Sequence, residues 1–103
     1  MVKTVQRKRI EILVDTPLIP KIIKLVKDVD ISGWSVIKII SGGNREGRWD
    51  HDEVTGAASK SIVLMIANQE KANLLVDKVA PLLESHGLLI TIGNVEVVRG
   101  DRF

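Results

Sequence analysis

Ser41-Gly-Gly-Asn-Arg-Glu-Gly-Arg-Trp-Asp-His-Asp-Glu-Val-Thr-Gly-Ala-Ala-Ser-Lys60 is a polar stretch between two apolar runs, Trp34-Ser-Val-Ile-Lys-Ile-Ile40 and Ile62-Val-Leu-Met-Ile-Ala67. The flanking runs are rich in β-branched residues and apolar at positions of both parities, which predicts two strands with both faces buried. Connections in compact domains have a median of about 4 to 6 residues. A 20-residue connection opening with a glycine pair therefore predicts a binding loop, and function is expected here.

Working outward, residues 8–15 alternate: Ile10, Ile12 and Val14 on one face, Arg9, Glu11, Leu13 and Asp15 on the other. This is the period of a half-buried strand. Thr16-Pro17 offers an N-cap and a first-turn proline for a helix running to about Asp30, or the helix begins at Pro20 instead. After strand three, Asn68 is placed to cap a second helix whose stripe is Ala72, Leu75, Val76, Val79, Leu82 and Leu83. Pro81 is expected to kink or divide that helix, and Gly87 to end it. The last strand is expected in two pieces, 88–92 and 95–98, broken at Gly93-Asn94.

The order is βαββαβ, which predicts one α+β domain over residues 1–103 with a ferredoxin-like antiparallel sheet and both helices on one face. The uncovered face then carries more aliphatic surface than monomers leave in water. Packing of sheets around a closed symmetry axis resolves this, so a homo-oligomer is expected.

Composition narrows the function classes. The absence of cysteine excludes disulfide and thiolate-metal frameworks and suits a reducing, cytoplasmic setting. No apolar run is long enough for a signal peptide or a bilayer span. A formal charge of +2 and three aromatic residues, Trp34, Trp49 and Phe103, argue against nucleic acid as partner. Arg7-Lys8-Arg9 reads as the solvated start of a strand.

Within the loop, Gly42 and Gly43 followed by Asn44, Arg45 and Arg48 supply backbone N–H groups and guanidinium donors suited to phosphate or a carboxylate-like anion. Arg99 and Arg102 can reach an anion from the end of the last strand. His51-Asp52-Glu53 lacks a second His or Cys, so no metal site is expected. Trp49 and His51 are the candidate partner contacts, and His86 is expected at the carbonyl end of helix two. No nucleophile, base and orienting group can be assembled, so no catalytic residue is assigned.

These residues carry a resemblance. Val29-Asp-Ile-Ser-Gly-Trp-Ser-Val36 followed by Ser41-Gly-Gly-Asn-Arg-Glu-Gly47 is similar to the PII signalling proteins, whose core reads Gly-Ile-Thr-Gly-Met-Thr-Val before a glycine-rich, arginine-containing loop. The resemblance implies a homotrimer that binds AMP, ADP or ATP in clefts between subunits and engages a partner through the loop. Carried over, Ser35 matches the Thr near the adenine, Gly42 and Gly43 the loop-entry glycines, and Arg99 an arginine that meets the nucleotide phosphates; Asn44 stands where nitrogen-regulatory members have Arg, with Arg45 and Arg48 close enough to substitute, and Val36, Asn44, Arg45 and Arg102 complete the expected nucleotide-binding set. Arg45 stands where nitrogen-regulatory members have the Gln that helps hold Mg-ATP and 2-oxoglutarate, so no metal is implied as a requirement. There is no tyrosine to uridylylate, and the glycine-rich, lysine-bearing segment after helix two is missing. The short tail resembles instead the PII-like branch linked to bicarbonate transport and carboxysomes. That implies bicarbonate as a second ligand at Arg45 and Arg48, and a bicarbonate transporter or carboxysome-related protein as partner.

Two rivals share the element order. An ACT-type small-molecule sensor lacks so long a charged loop, and an RNA-recognition motif needs exposed aromatics on two central strands. A nitrogen-regulatory PII protein is the remaining alternative within the resemblance.

Overall fold

The computed structural model describes residues 2–44, 47–50 and 59–98. In chain order these form β1 (Val5–Asp15), a 3₁₀ turn (Thr16–Leu18), α1 (Ile19–Asp28), β2 (Trp34–Lys38), β3 (Ser41–Asn44), β4 (Gly47–Asp50), β5 (Lys60–Ala67), α2 (Gln69–Ser85) and β6 (Leu89–Val97). The main sheet is antiparallel in the order β2-β5-β1-β6. This is the ferredoxin-like arrangement expected from the element order.

The alternation in β1 sorts its side chains as read. Ile10, Ile12 and Val14 are buried, level with Met65, Val63 and Ser61 of β5, and α1 and α2 cover this face with Ile22, Val26, Leu75 and Val79. Asn68 caps α2, its side-chain oxygen accepting from the Lys71 N–H at 2.8 Å. Gly87 ends that helix at φ 61°.

Several expectations are corrected. Of the two starts expected for α1, Thr16 as cap fails and the start at Pro20 holds to within one residue: the helix begins after Leu18 with Pro20 in its first turn, where a missing N–H costs nothing. α1 stops at Asp28 rather than Asp30, because Asp30 takes φ 60° and turns the chain. Pro81 does not divide α2, which runs unbroken to Ser85. The carbonyl of Asp77 that loses a donor lies on the exposed side, where water can serve it. β6 has no break at Gly93-Asn94, since β1 holds both in register as Arg9↔Gly93 and Lys8↔Asn94. Lys8 Nζ also donates to Asn94 Oδ1.

The largest correction concerns the connection after β2. Within it lies a two-stranded ribbon, β3 on β4, paired Ser41↔Asp50, Gly42↔Trp49, Gly43↔Arg48 and Asn44↔Gly47. β2 itself is an edge strand exposed along its whole length, with Trp34 at 38% and Ile37 at 47% accessibility, rather than buried on both faces.

On the uncovered face, pairing places Ile37, Ile62, Leu13 and Leu89 in one row across all four strands. This is the apolar surface whose cover the sequence demanded.

Candidate functional site

The connection leaves the sheet where β2 ends and β5 begins, and this end is tightly tied. The Ile39 N–H donates to the Lys60 carbonyl at 3.0 Å, extending the β2–β5 ladder by one step. On the returning side, the Thr16 N–H donates to the Ser59 carbonyl at 3.0 Å, and Lys60 Nζ pairs with Asp15 Oδ1. The Thr16 and Ser61 hydroxyls lie 2.9 Å apart, Ser61 being fully buried. Sequence reading missed this anchor. The available signal was Ser61, a polar residue at a core-facing position of an otherwise apolar strand.

The outgoing side is built differently. Ile40 is 81% exposed, and β3 starts directly after it. Gly42 and Gly43 lie in extended backbone, and among the described glycines only Gly87 has positive φ. They therefore do not form the concave nest that needs a left-handed residue. Successive N–H groups of a strand point to opposite edges, so those not bonded to β4 lie along the ribbon's outer edge. What the glycines supply there is a backbone without side chains in front of it.

The other candidate positions spread along the sheet. Ser35 is exposed on the open face of β2 opposite Leu64, and Val36 is exposed on the helix side opposite Val63. Asn44, Arg48 and Trp49 are placed by the ribbon's backbone pairing. Arg45, His51, Arg99 and Arg102 lie outside the described residues.

The last strand and the ribbon leave the sheet at opposite ends. β6 is antiparallel to β1 and ends with Val97 opposite Val5, whereas the ribbon leaves the sheet beside Asp15 and Lys60. At about 3.3 Å per residue the two ends of β1 are roughly 33 Å apart. Val98 therefore lies at one end of the sheet, and Ile40 and Ser41 at the other.

Among the described residues no group of His, Cys, Asp or Glu could hold a metal ion, and no helix is long and apolar enough to cross a membrane.

The profile of the family described as nitrogen regulatory protein P-II matches residues 7–102. The chain belongs to that family. Its fold also matches solved members and relatives of PII. One is CPII, a nitrogen regulatory PII-like protein from Thiomonas intermedia K12, solved with ADP, AMP and bicarbonate, at TM-score 0.90 and 17% identity, covering 100% of this chain and 98% of that one. A PII-like signalling protein from Thermus thermophilus aligns at TM-score 0.84 and 19% identity over 98% of both chains. The GlnK–ATP complex of B. subtilis aligns less closely, at TM-score 0.62 and 7% identity, over 87% of this chain and 82% of that one. Among curated proteins nothing matches the sequence. PII proteins are signalling regulators, and membership displaces the ACT-type and RNA-binding alternatives.

Proposed function

We propose that this PII-family protein is a trimeric, cytoplasmic regulator that binds an adenine nucleotide between subunits and takes bicarbonate as a second small ligand. The supporting observation is the match, over the full length of the chain, to CPII solved with ADP, AMP and bicarbonate. Family membership carries the expectation of a trimer, and the exposed aliphatic row of the sheet gives the assembly its physical cause. Each cleft draws on two protomers: Gly42, Gly43, Asn44 and Arg45 at the loop's opening from one, Ser35, Val36, Arg99 and Arg102 from its neighbour. β6 ends opposite Val5 while the ribbon leaves beside Asp15 and Lys60, and these opposite exits are consistent with that division.

In this reading the protein performs no catalysis. Nucleotide and anion occupancy, with Arg45 and Arg48 as the cationic donors, sets the arrangement of the connection between β2 and β5. Trp49 and His51 present that arrangement to a partner in inorganic-carbon or energy metabolism, a bicarbonate transporter or carboxysome-related protein.

Calorimetric titration with AMP, ADP, ATP and cyclic AMP, each with and without bicarbonate, tests this. Saturable adenine-nucleotide binding strengthened by bicarbonate is expected. A requirement for Mg-ATP with 2-oxoglutarate would instead make this a nitrogen-regulatory member, of which the GlnK–ATP complex is the structural parallel.

A further inference from the structure

The open face of the sheet carries Ile37 of β2, Ile62, Leu64 and Ile66 of β5 and Leu89 of β6, with Ser35 and Thr91 among them, and its charge is concentrated on β1, which presents Arg9, Glu11, Leu13 and Asp15 in turn. Asp15 is taken by Lys60 at the ribbon end. Arg9 and Glu11 form their own pair in mid-face, Nη2 to Oε1 at 2.9 Å, with side chains 49% and 35% exposed. Their cross-strand neighbours are Ile66 and Leu64 on one side, Gly93 and Thr91 on the other. Gly93 contributes no side chain, and a hollow of about 380 Å³ lies against Arg9, Glu11, Thr91, Ile92 and Gly93. A Cβ added at Gly93 would meet nothing within 4 Å, so the hollow has room for a side chain from another molecule.

A half-exposed pair of this kind adds little to the stability of one chain. Covering the face changes that, because a desolvated charge must be matched well or it opposes association. Rows of similar aliphatic residues can slide past one another, whereas a positive group and a negative group at fixed spacing along β1 fit a second copy in only one offset. The pair is also self-complementary in the head-to-tail sense a closed ring requires.

Resting on the trimeric reading above, we infer that Arg9 and Glu11 select the subunit register: in the assembly Arg9 meets the partner subunit's Glu11 across the interface, in addition to its own. The occupant of the open face is thus a second copy of this chain.

The charge-swapped double variant Arg9→Glu/Glu11→Arg separates this from a purely intrachain pair. Homogeneous swapped chains satisfy both kinds of contact, but a swapped chain beside a wild-type chain places like charges together. Differently tagged wild-type and swapped chains are unfolded together, refolded and captured by one tag. Each is expected to form trimers of its own kind, with mixed trimers depleted at least tenfold below random mixing. A wild type that sediments as one chain overturns the trimeric reading and this inference with it. A trimeric wild type that mixes freely with swapped chains, or a swapped chain that folds by circular dichroism yet stays monomeric, overturns this inference alone. Should the swapped chain fail to fold, Glu11→Gln decides: it is expected to raise the trimer's dissociation constant at least tenfold, and a trimer as persistent as wild type overturns the inference.

Discussion

The Ile31 N–H donates to the Val26 carbonyl at 3.2 Å, while the Asp30 N–H reaches the Lys27 carbonyl at 3.0 Å. Together they close α1 in a Schellman turn, with Asp30 at the left-handed position, φ 60°, and buried Ile31 following it. The resembling PII segment has glycine where Asp30 stands, and glycine adopts this conformation without the Cβ penalty. Asp30→Gly is therefore expected to stabilise the fold by about 0.5 to 1 kcal/mol, part of the relief being offset by a more flexible unfolded chain. The Asp30 carboxylate is almost wholly exposed, and the stronger Lys71 contact, 2.7 Å to the Asp30 carbonyl, survives the change. Urea unfolding gives the sign, and a lower midpoint at unchanged slope would contradict it.

Asn68→Ala removes the cap of α2 and leaves the Lys71 N–H without its acceptor. A loss of about 1 kcal/mol is expected, with Asn68→Ser or Asn68→Asp largely restoring it. Guanidinium denaturation of the three variants side by side checks the order.

The Thr16–Ser61 hydroxyl pair predicts an asymmetry. Thr16→Val strands a fully buried Ser61 hydroxyl and is expected to cost about 1 to 3 kcal/mol. Ser61→Ala leaves the half-buried Thr16 hydroxyl in reach of water and is expected to cost less. Equal costs in thermal unfolding would mean that the pair is not what holds this end of the connection.

Arg99→Ala is expected to weaken nucleotide binding by about 1.5 to 3 kcal/mol, roughly 10- to 150-fold, if its guanidinium meets a phosphate. In the proposed cleft Arg99 comes from one protomer and the ribbon opening from another, which makes complementation the test. Arg99→Ala chains mixed at random with chains disabled at Gly43, for example Gly43→Trp, should regain intact sites in about one cleft in four. Calorimetric stoichiometry reads this directly, and no recovery would place both groups in one protomer's site.

The ribbon predicts a protease-sensitive reporter. Four paired residues per strand form a hairpin that is only marginally stable on its own, so trypsin should cut after Arg45 or Arg48 in the ligand-free protein. Saturating ADP should slow that cleavage, since a ligand shifts the arrangement only as far as it discriminates between two states. Equal cleavage rates at full occupancy would make the connection a passive tether.

The alternation of Ile10, Ile12 and Val14, the cap at Asn68 and the stop at Gly87 were legible because each rests on local chemistry. The ribbon was not, because its strands carry glycine and charge in place of a hydrophobic period, so no alternation marks the pairing of Gly42 with Trp49. The expected break at Gly93-Asn94 failed for a related reason: nine cross-strand pairs with β1 outweigh two residues of low strand propensity. For the candidate site the sequence offered motif positions alone: Ser35 and Val36 fall on β2 and Gly42 and Gly43 on β3, while Arg45, His51, Arg99 and Arg102 lie outside the described residues, and no local period or cap fixes a position shared between distant strands.

Gly42 faces Trp49 directly across the ribbon. Adjacent strands are about 4.8 Å apart, so a ligand that shifts the backbone at Gly42 moves the backbone of Trp49 in the same step. With Gly42 meeting the ligand and Trp49 the partner, as proposed, sensing and display would be separated by a single rung of hydrogen bonds, and the message from anion to partner would need no relay through the core of the domain.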